Sequence, residues 1–311
     1  MQSFKFTLGA LLIGSAAWGV SGNATVGKAV FEAATSVEAK LYGLEKRTID
    51  VNGMPTVAYV GGDASKPALI MLHGYSADKE VWPRFAKHFV KDYFVVIPDM
   101  AGHGETGFKA EWAYDAPSQA QRIVGLMDAL SIKKANVVGN SMGGFIAATL
   151  GANAADRIIS VVAIDPAGVV APNPSEVVKQ MAEGKNSFLV KTRADFDSFY
   201  ATTMAQPPWL PDMIKAAMAE GYMQRREELT QIHKGFHNKD FLDDRLADIK
   251  TPFLLVWGKK DALLDVSAVP VWKAGVPQAE VVVFDELGHM PMVEAPEKTA
   301  AAVSEFLKKK Q

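Results

Sequence analysis

The chain has 311 residues, 49% of them hydrophobic and 22% charged, which excludes a disordered or collagen-like polypeptide. Lys plus Arg number 33 against 35 for Asp plus Glu, and a net charge of −2 gives no field to gather phosphates, so no nucleic acid partner is expected. There is no cysteine, so thiolate nucleophiles, disulfides, Cys-ligated zinc and iron–sulfur clusters are excluded.

Residues 1–24 hold one early lysine, an apolar run from Phe6 to Val20, and small residues at Gly22 and Ala24. That layout fits a secretory signal peptide. The run falls short of the about 20 apolar residues that span a bilayer, and an uncleaved membrane anchor is the rival reading. The expected location is therefore periplasmic or secreted, or membrane-anchored through this segment. Gly22 to Lys28 has phosphate-loop spacing, but Ala29 replaces the hydroxyl that would hold magnesium and no strand precedes it, so this reading is rejected.

A linker helix is expected across 25–46. Arg47–Val51 and Thr56–Val60 then read as a hairpin closed by Asn52-Gly53. Short apolar runs follow at Ala68–Leu72, Phe94–Pro98, Asn136–Gly139, Ile158–Ile164, Phe253–Trp257 and Val281–Phe284. Continuous Val/Ile/Leu runs predict parallel strands covered on both faces. Helical patterns at Ser118–Leu130, Met142–Ala152, Ser267–Ala274 and Pro296–Lys309 alternate with them. The expected fold class is α/β, with a mostly parallel sheet flanked by helices. Its core occupies 47–167 and 250–311.

Between these parts, 168–249 shows no convincing strand. This insert of about 80 residues far exceeds an ordinary connection of ~2–6 and predicts a helical cap before the last two strands. It is rich in Phe188, Phe196, Phe199, Tyr200, Met204, Trp209, Leu210, Met213 and Met218, and punctuated by Pro207, Pro208 and Pro211. Most of these bulky residues are expected to form the cap's own core, with a minority facing a substrate.

Gly139-Asn140-Ser141-Met142-Gly143 is a G-x-S-x-G motif set between an apolar strand and a helix. A serine on such a turn takes a strained backbone and projects its hydroxyl above the sheet edge. A serine nucleophile needs a base, and the base an orienting acid. His289 follows the last strand, and Asp261 follows the one before it. The order Ser141, Asp261, His289 is the one this strand–turn–helix context predicts. Asp165, at the end of an earlier strand, is the rival acid, and Asp265 a weaker one. Asp99 is expected to order its loop and His73 to brace the loop after Ala68–Leu72. His103 is expected to be structural or at a pocket rim, and His88 to lie on the surface. His233 and His237, four apart, lack a third metal ligand, so no metal is expected. Backbone N–H groups of Tyr75 and Met142 are the expected oxyanion donors.

These residues resemble the α/β-hydrolase superfamily from about Arg47 to Lys309. The stretches His73 to Trp82, Pro98 to Gly104, Val138 to Gly144 and Asp165-Pro166-Ala167-Gly168 look like family V bacterial lipases, and are similar to the membrane-associated monoacylglycerol lipases of animals. The resemblance implies a Ser141–Asp261–His289 triad, Tyr75 and Met142 as oxyanion donors, and hydrolysis of carboxylic esters without cofactor. The expected partner is a small ester or lipid, with a membrane surface as a further one. Two other functions stay open at this point: a serine-dependent carbon–carbon bond hydrolase and a non-catalytic binding protein on the same fold.

Overall fold

The computed structural model describes residues 24–310, so the leader or anchor expected at 1–24 lies outside the described residues apart from Ala24. Helix α1 spans Ala24–Leu41, and the end of the stretch expected as a linker helix (25–46) belongs from Leu44 to the first strand instead. No described helix is long and apolar enough to cross a membrane.

Strands β1 (Leu44–Val51) and β2 (Met54–Gly61) pair antiparallel, with Val51 opposite Met54. The two residues between them, Asn52 and Gly53, have φ of 55° and 83°, the left-handed pair that a two-residue hairpin turn requires. The chain continues through β3 (Ala68–Leu72), α2 (Pro83–Ala86), β4 (Phe94–Pro98), α3 (Ala116–Ala129), β5 (Ala135–Asn140), α4 (Met142–Asn153) and β6 (Ile158–Ile164). Four helices follow: α5 (Glu176–Ala182), α6 (Arg193–Thr203), α7 (Asp212–Gln224) and α8 (Arg226–Phe236). Then come β7 (Phe253–Gly258), α9 (Ala268–Gly275), β8 (Glu280–Phe284), α10 (Pro291–Glu294) and α11 (Pro296–Lys308).

The strands form one eight-stranded sheet in the order β1-β2-β4-β3-β5-β6-β7-β8. The β1–β2 and β2–β4 pairs are antiparallel and the rest parallel. Successive side chains alternate between faces. Ile70, Val96, Val137, Val161 and Leu255 enter one core with Ile123, Phe145 and Trp272. Leu69, Val95, Val138, Val162 and Leu254 enter the other with Phe85, Val303 and Phe306. Both faces are dry, which is why the strands read as unbroken apolar runs. Helix α4 is buried from Met142 to Gly151, as a helix at the centre of such a layer must be.

The helices α5 to α8 lie between β6 and β7 as a cap. Leu229, Ile232 and Phe236 of α8 join the larger core, while Val190, Phe196, Phe199 and Ala219 form a small cluster of their own. Helix α1 packs along α7. Phe196, Phe199, Met204 and Met213 are buried, as expected for the cap's own core. Trp209 differs: it is 73% exposed, held in a non-helical stretch by Pro207, Pro208 and Pro211 that turns no face inward.

Candidate active site

Ser141 sits between the last residue of β5 and the first of α4, with φ 57° and ψ −119°. A non-glycine residue holds that backbone only when its neighbours over-determine it. Here its N–H donates to the Ile164 carbonyl at 3.0 Å, and its carbonyl accepts the N–H groups of Phe145 at 3.0 Å and Ala167 at 3.1 Å. The turn also needs bare backbone: a Cβ at Gly139 would lie 2.1 Å from the Gly143 carbonyl oxygen, and one at Gly143 would lie 2.2 Å from that of Leu72. Asn140 and Met142 are buried, but Ser141 keeps partial exposure.

His289 follows β8 and Asp261 follows β7; both are nearly buried. His289 Nδ1 lies 2.6 Å from Asp261 Oδ2. A carboxylate only accepts, so Nδ1 carries the hydrogen and Nε2 keeps its lone pair. The other Asp261 oxygen, Oδ1, accepts the N–H groups of Leu263 at 2.7 Å and Leu264 at 3.0 Å, which fixes the carboxylate. Asn140 Nδ2 donates to the His289 carbonyl at 2.9 Å, tying the histidine loop to the residue before the serine. Sequence reasoning passed over Asn140 because one sequence gives no sign of a side chain bridging two loops.

The loop after β3 runs beside the serine, and a Cβ on Gly74 would lie 3.1 Å from the Cβ of Ser141. The next residue is Tyr75. Met142 N–H opens α4, so its own helix offers it no carbonyl. The Tyr75 side chain reaches into the cap, where its hydroxyl donates to the Leu229 carbonyl at 2.7 Å and its ring meets Phe188 at 5.2 Å and His233 at 5.6 Å. His73 braces this loop as expected. Its Nε2 accepts Met100 N–H at 2.9 Å and its Nδ1 donates to the Gly74 carbonyl at 2.8 Å. Burial lowers its pKa, and holds that of His103 well below the usual imidazole range. His103 is buried among His73 and Tyr75 instead of at a rim.

Lys79 was missed altogether, since a lysine in a polar loop reads as solvated. It is 3% exposed, with Nζ 3.0 Å from Asp99 Oδ2 and 2.8 Å from Glu105 Oε1. Asp99 also accepts the N–H groups of Lys79 and Glu105, both at 2.8 Å, and so binds the loop after β3 to its own loop. Burial alone would lower the Lys79 pKa; Asp99 and Glu105 outweigh it and raise it. Burial, then the nearby Asp78, push the Glu80 carboxyl up to about 7.

Of the rival acids, Asp265 accepts Ser267 N–H at 2.9 Å, a local turn contact. Asp165 lies beside the pair without taking the imidazole hydrogen, and one atom each of Asp165, Asp261 and His289 lie within 4.8 Å of one another. Among the described residues no other such trio of metal-ligand types occurs, and His233 and His237 stack on each other at 4.3 Å without a third partner of that kind. His88 is exposed, as expected. A groove of about 600 Å³ between residues 110–117 and the end of α8 touches none of these groups.

Residues 67–296 match the family model described as the alpha/beta hydrolase fold. Lipase 1 of Psychrobacter immobilis is 30% identical over 243 residues, which cover 77% of this chain and 76% of that protein. Mouse (Mus musculus) monoacylglycerol lipase ABHD6 is 26% identical over 263 residues, 80% of this chain and 78% of its own. Among solved structures, a membrane phospholipase A described as a bacterial virulence factor superposes with a TM-score of 0.88 at 31% identity, covering 96% of each chain. The 2-hydroxy-6-oxo-6-phenylhexa-2,4-dienoate hydrolase of Rhodococcus sp. strain RHA1 superposes at 0.74 with 20% identity over 85% of this chain and 99% of its own, a likeness of fold alone. Matched over most of its length by the family model and superposed over most of it on a relative at 31% identity, the chain belongs to the α/β-hydrolase family.

Proposed function

We propose that the protein is a carboxylic-ester hydrolase acting on lipids through an acyl-enzyme on Ser141. The observation that carries this reading is the 2.6 Å Asp261–His289 hydrogen bond, tied by Asn140 to the strained turn that bears Ser141. The names of the relatives, lipases and a monoacylglycerol lipase, point to the same chemistry.

Ser141 Oγ attacks the ester carbonyl carbon as its proton passes to His289 Nε2. Asp261 holds the imidazole in the needed tautomer and stabilises its cation. The negative charge that develops on the carbonyl oxygen falls to the N–H groups of Tyr75 and Met142, each worth about 3 kcal/mol of barrier. Collapse breaks the acyl–oxygen bond, and the leaving alcohol takes the proton from His289. Water then attacks the acyl-enzyme with His289 again as base, and releases the acid and the free serine. No cofactor enters these steps.

The aromatic cap favours medium or long acyl chains, since each buried methylene contributes about 0.8 kcal/mol. The likeness to a membrane phospholipase A supports work at a membrane surface, with the N-terminal segment as export signal or anchor. Replacing Ser141 with Ala should remove p-nitrophenyl ester hydrolysis by at least ~10⁴-fold and abolish fluorophosphonate labelling. Undiminished turnover in that variant would end the reading.

A further inference from the structure

Asp165 directly follows β6, beside Asp261 and His289, and has no role in the steps above. It is fully buried and left-handed, with φ 42°. Its Oδ1 accepts Gly258 N–H at 2.8 Å, while its Oδ2 is buried without a partner. The ionisable side chains that act on it are Asp261 and Glu294, both acids, with the His289 ring completing the cluster. Glu294 is occupied by the N–H groups of Gly288, Gln206 and Met290. Asp261 accepts three hydrogen bonds, and a carboxylate has about four lone-pair positions.

A second buried carboxylate charge beside Asp261, with no cation of its own, is strongly unfavourable. A proton on Asp165 removes that charge and turns the orphaned oxygen into a donor. Burial, then the neighbouring Asp261, hold the Asp165 carboxyl well above the usual carboxylate range.

We propose that Asp165 is a positioning residue, a carboxyl that keeps its proton and donates it to the Asp261 carboxylate, holding that carboxylate in line with His289 Nδ1. This rests on Ser141, Asp261 and His289 acting as a triad. The shared proton spreads the charge that Asp261 presents to His289 Nδ1. Without it the imidazolium is better stabilised, the base stays protonated to higher pH, and the acid limb of the rate profile moves up.

The test is the pH dependence of kcat/KM on a p-nitrophenyl ester for the full chain, Asp165→Asn and Asp165→Ala. Asparagine tolerates a positive φ and keeps a neutral donor. Asp165→Asn should hold the acid limb within about 0.2 pH unit and lose less than about tenfold in rate. Asp165→Ala should move the limb up by about half a unit or more and lose on the order of 100-fold. A second measurement stands apart from activity. The infrared difference between the unsubstituted protein and Asp165→Asn near neutral pH should show the loss of a carboxylic-acid carbonyl band. Loss of a carboxylate band instead, or superimposable profiles for Asn and Ala, overturns the proposal. The infrared band does not depend on Ser141, so failure of the triad reading, seen as turnover by Ser141→Ala, is told apart.

Discussion

The carboxyl edge of the sheet and the cap above it hold their charges in opposite ways. At the edge, Lys79 is 3% exposed and pairs with a fully buried Asp99. In the cap, Arg193 bridges Asp197 at 3.0 Å and Asp212 at 2.7 Å, on acids that are 45% and 69% exposed. The aromatic residues divide likewise. Those of the sheet belong to two large cores, whereas Phe196 and Phe199 form a small cluster with Val190 and Ala219. The edge is fixed by contacts that are costly to break singly, and the cap by screened pairs and local packing. The sheet edge that carries Ser141, Asp261 and His289 and the cap above it are therefore held by different physics in one chain.

The largest test of that contrast is a matched pair of substitutions. Lys79→Met leaves the Asp99 charge buried without its cation and should cost about 3–5 kcal/mol in urea unfolding. Arg193→Met in the cap should cost less than about 1 kcal/mol. Equal losses would erase the distinction.

Next in size is the effect of Phe188, whose ring lies 5.2 Å from Tyr75 and 5.0 Å from Phe199, between the loop after β3 and the cap cluster. Phe188→Ala should uncover about two acyl methylenes, at ~0.8 kcal/mol each, and lower the laurate-to-butyrate ratio of kcat/KM by about tenfold. An unchanged ratio would take this part of the cap out of chain-length selection.

The smallest concerns pH. Burial, with a lesser push from His237, lowers the His233 imidazole to about 4, against about 6.5 in an unfolded chain. The folded protein binds fewer protons in that window, so this contribution to stability is complete above about pH 6.5 and drains away as pH falls toward about 4. Unfolding free energy should fall less over this window in His233→Phe, by on the order of 1 kcal/mol after allowing for solvent that reaches part of the ring, and is read from urea curves at each pH. Parallel curves would mean that the histidine does not couple cap packing to acid.

Much of the edge was legible in the residues. Dry faces on both sides leave unbroken strand runs, Asn52-Gly53 announces its own turn, and the glycines around Ser141 mark a backbone with no room for side chains. Chain order put Asp261 and His289 on the loops after the last two strands and favoured that pair over the rival Asp165. What stayed hidden depends on register between distant segments. Lys79 meets an acid twenty residues on only after β3 and β4 lie side by side. Asp165 and Asp261 become neighbours because Ile164 of β6 pairs with Val256 of β7. The cap was legible as an insertion but not in detail, since its helices are short and half-buried and no strand alternation constrains them.

Tyr75 spans the two regions. Its hydroxyl hangs from the Leu229 carbonyl of α8 at 2.7 Å, and its main chain lies one residue from Gly74, against Ser141. Any swing of α8 outward must either snap that link or drag residue 75 along with it. The cap helix and the loop beside Ser141 are thus geared together through one phenol, so that neither shifts without loading the other.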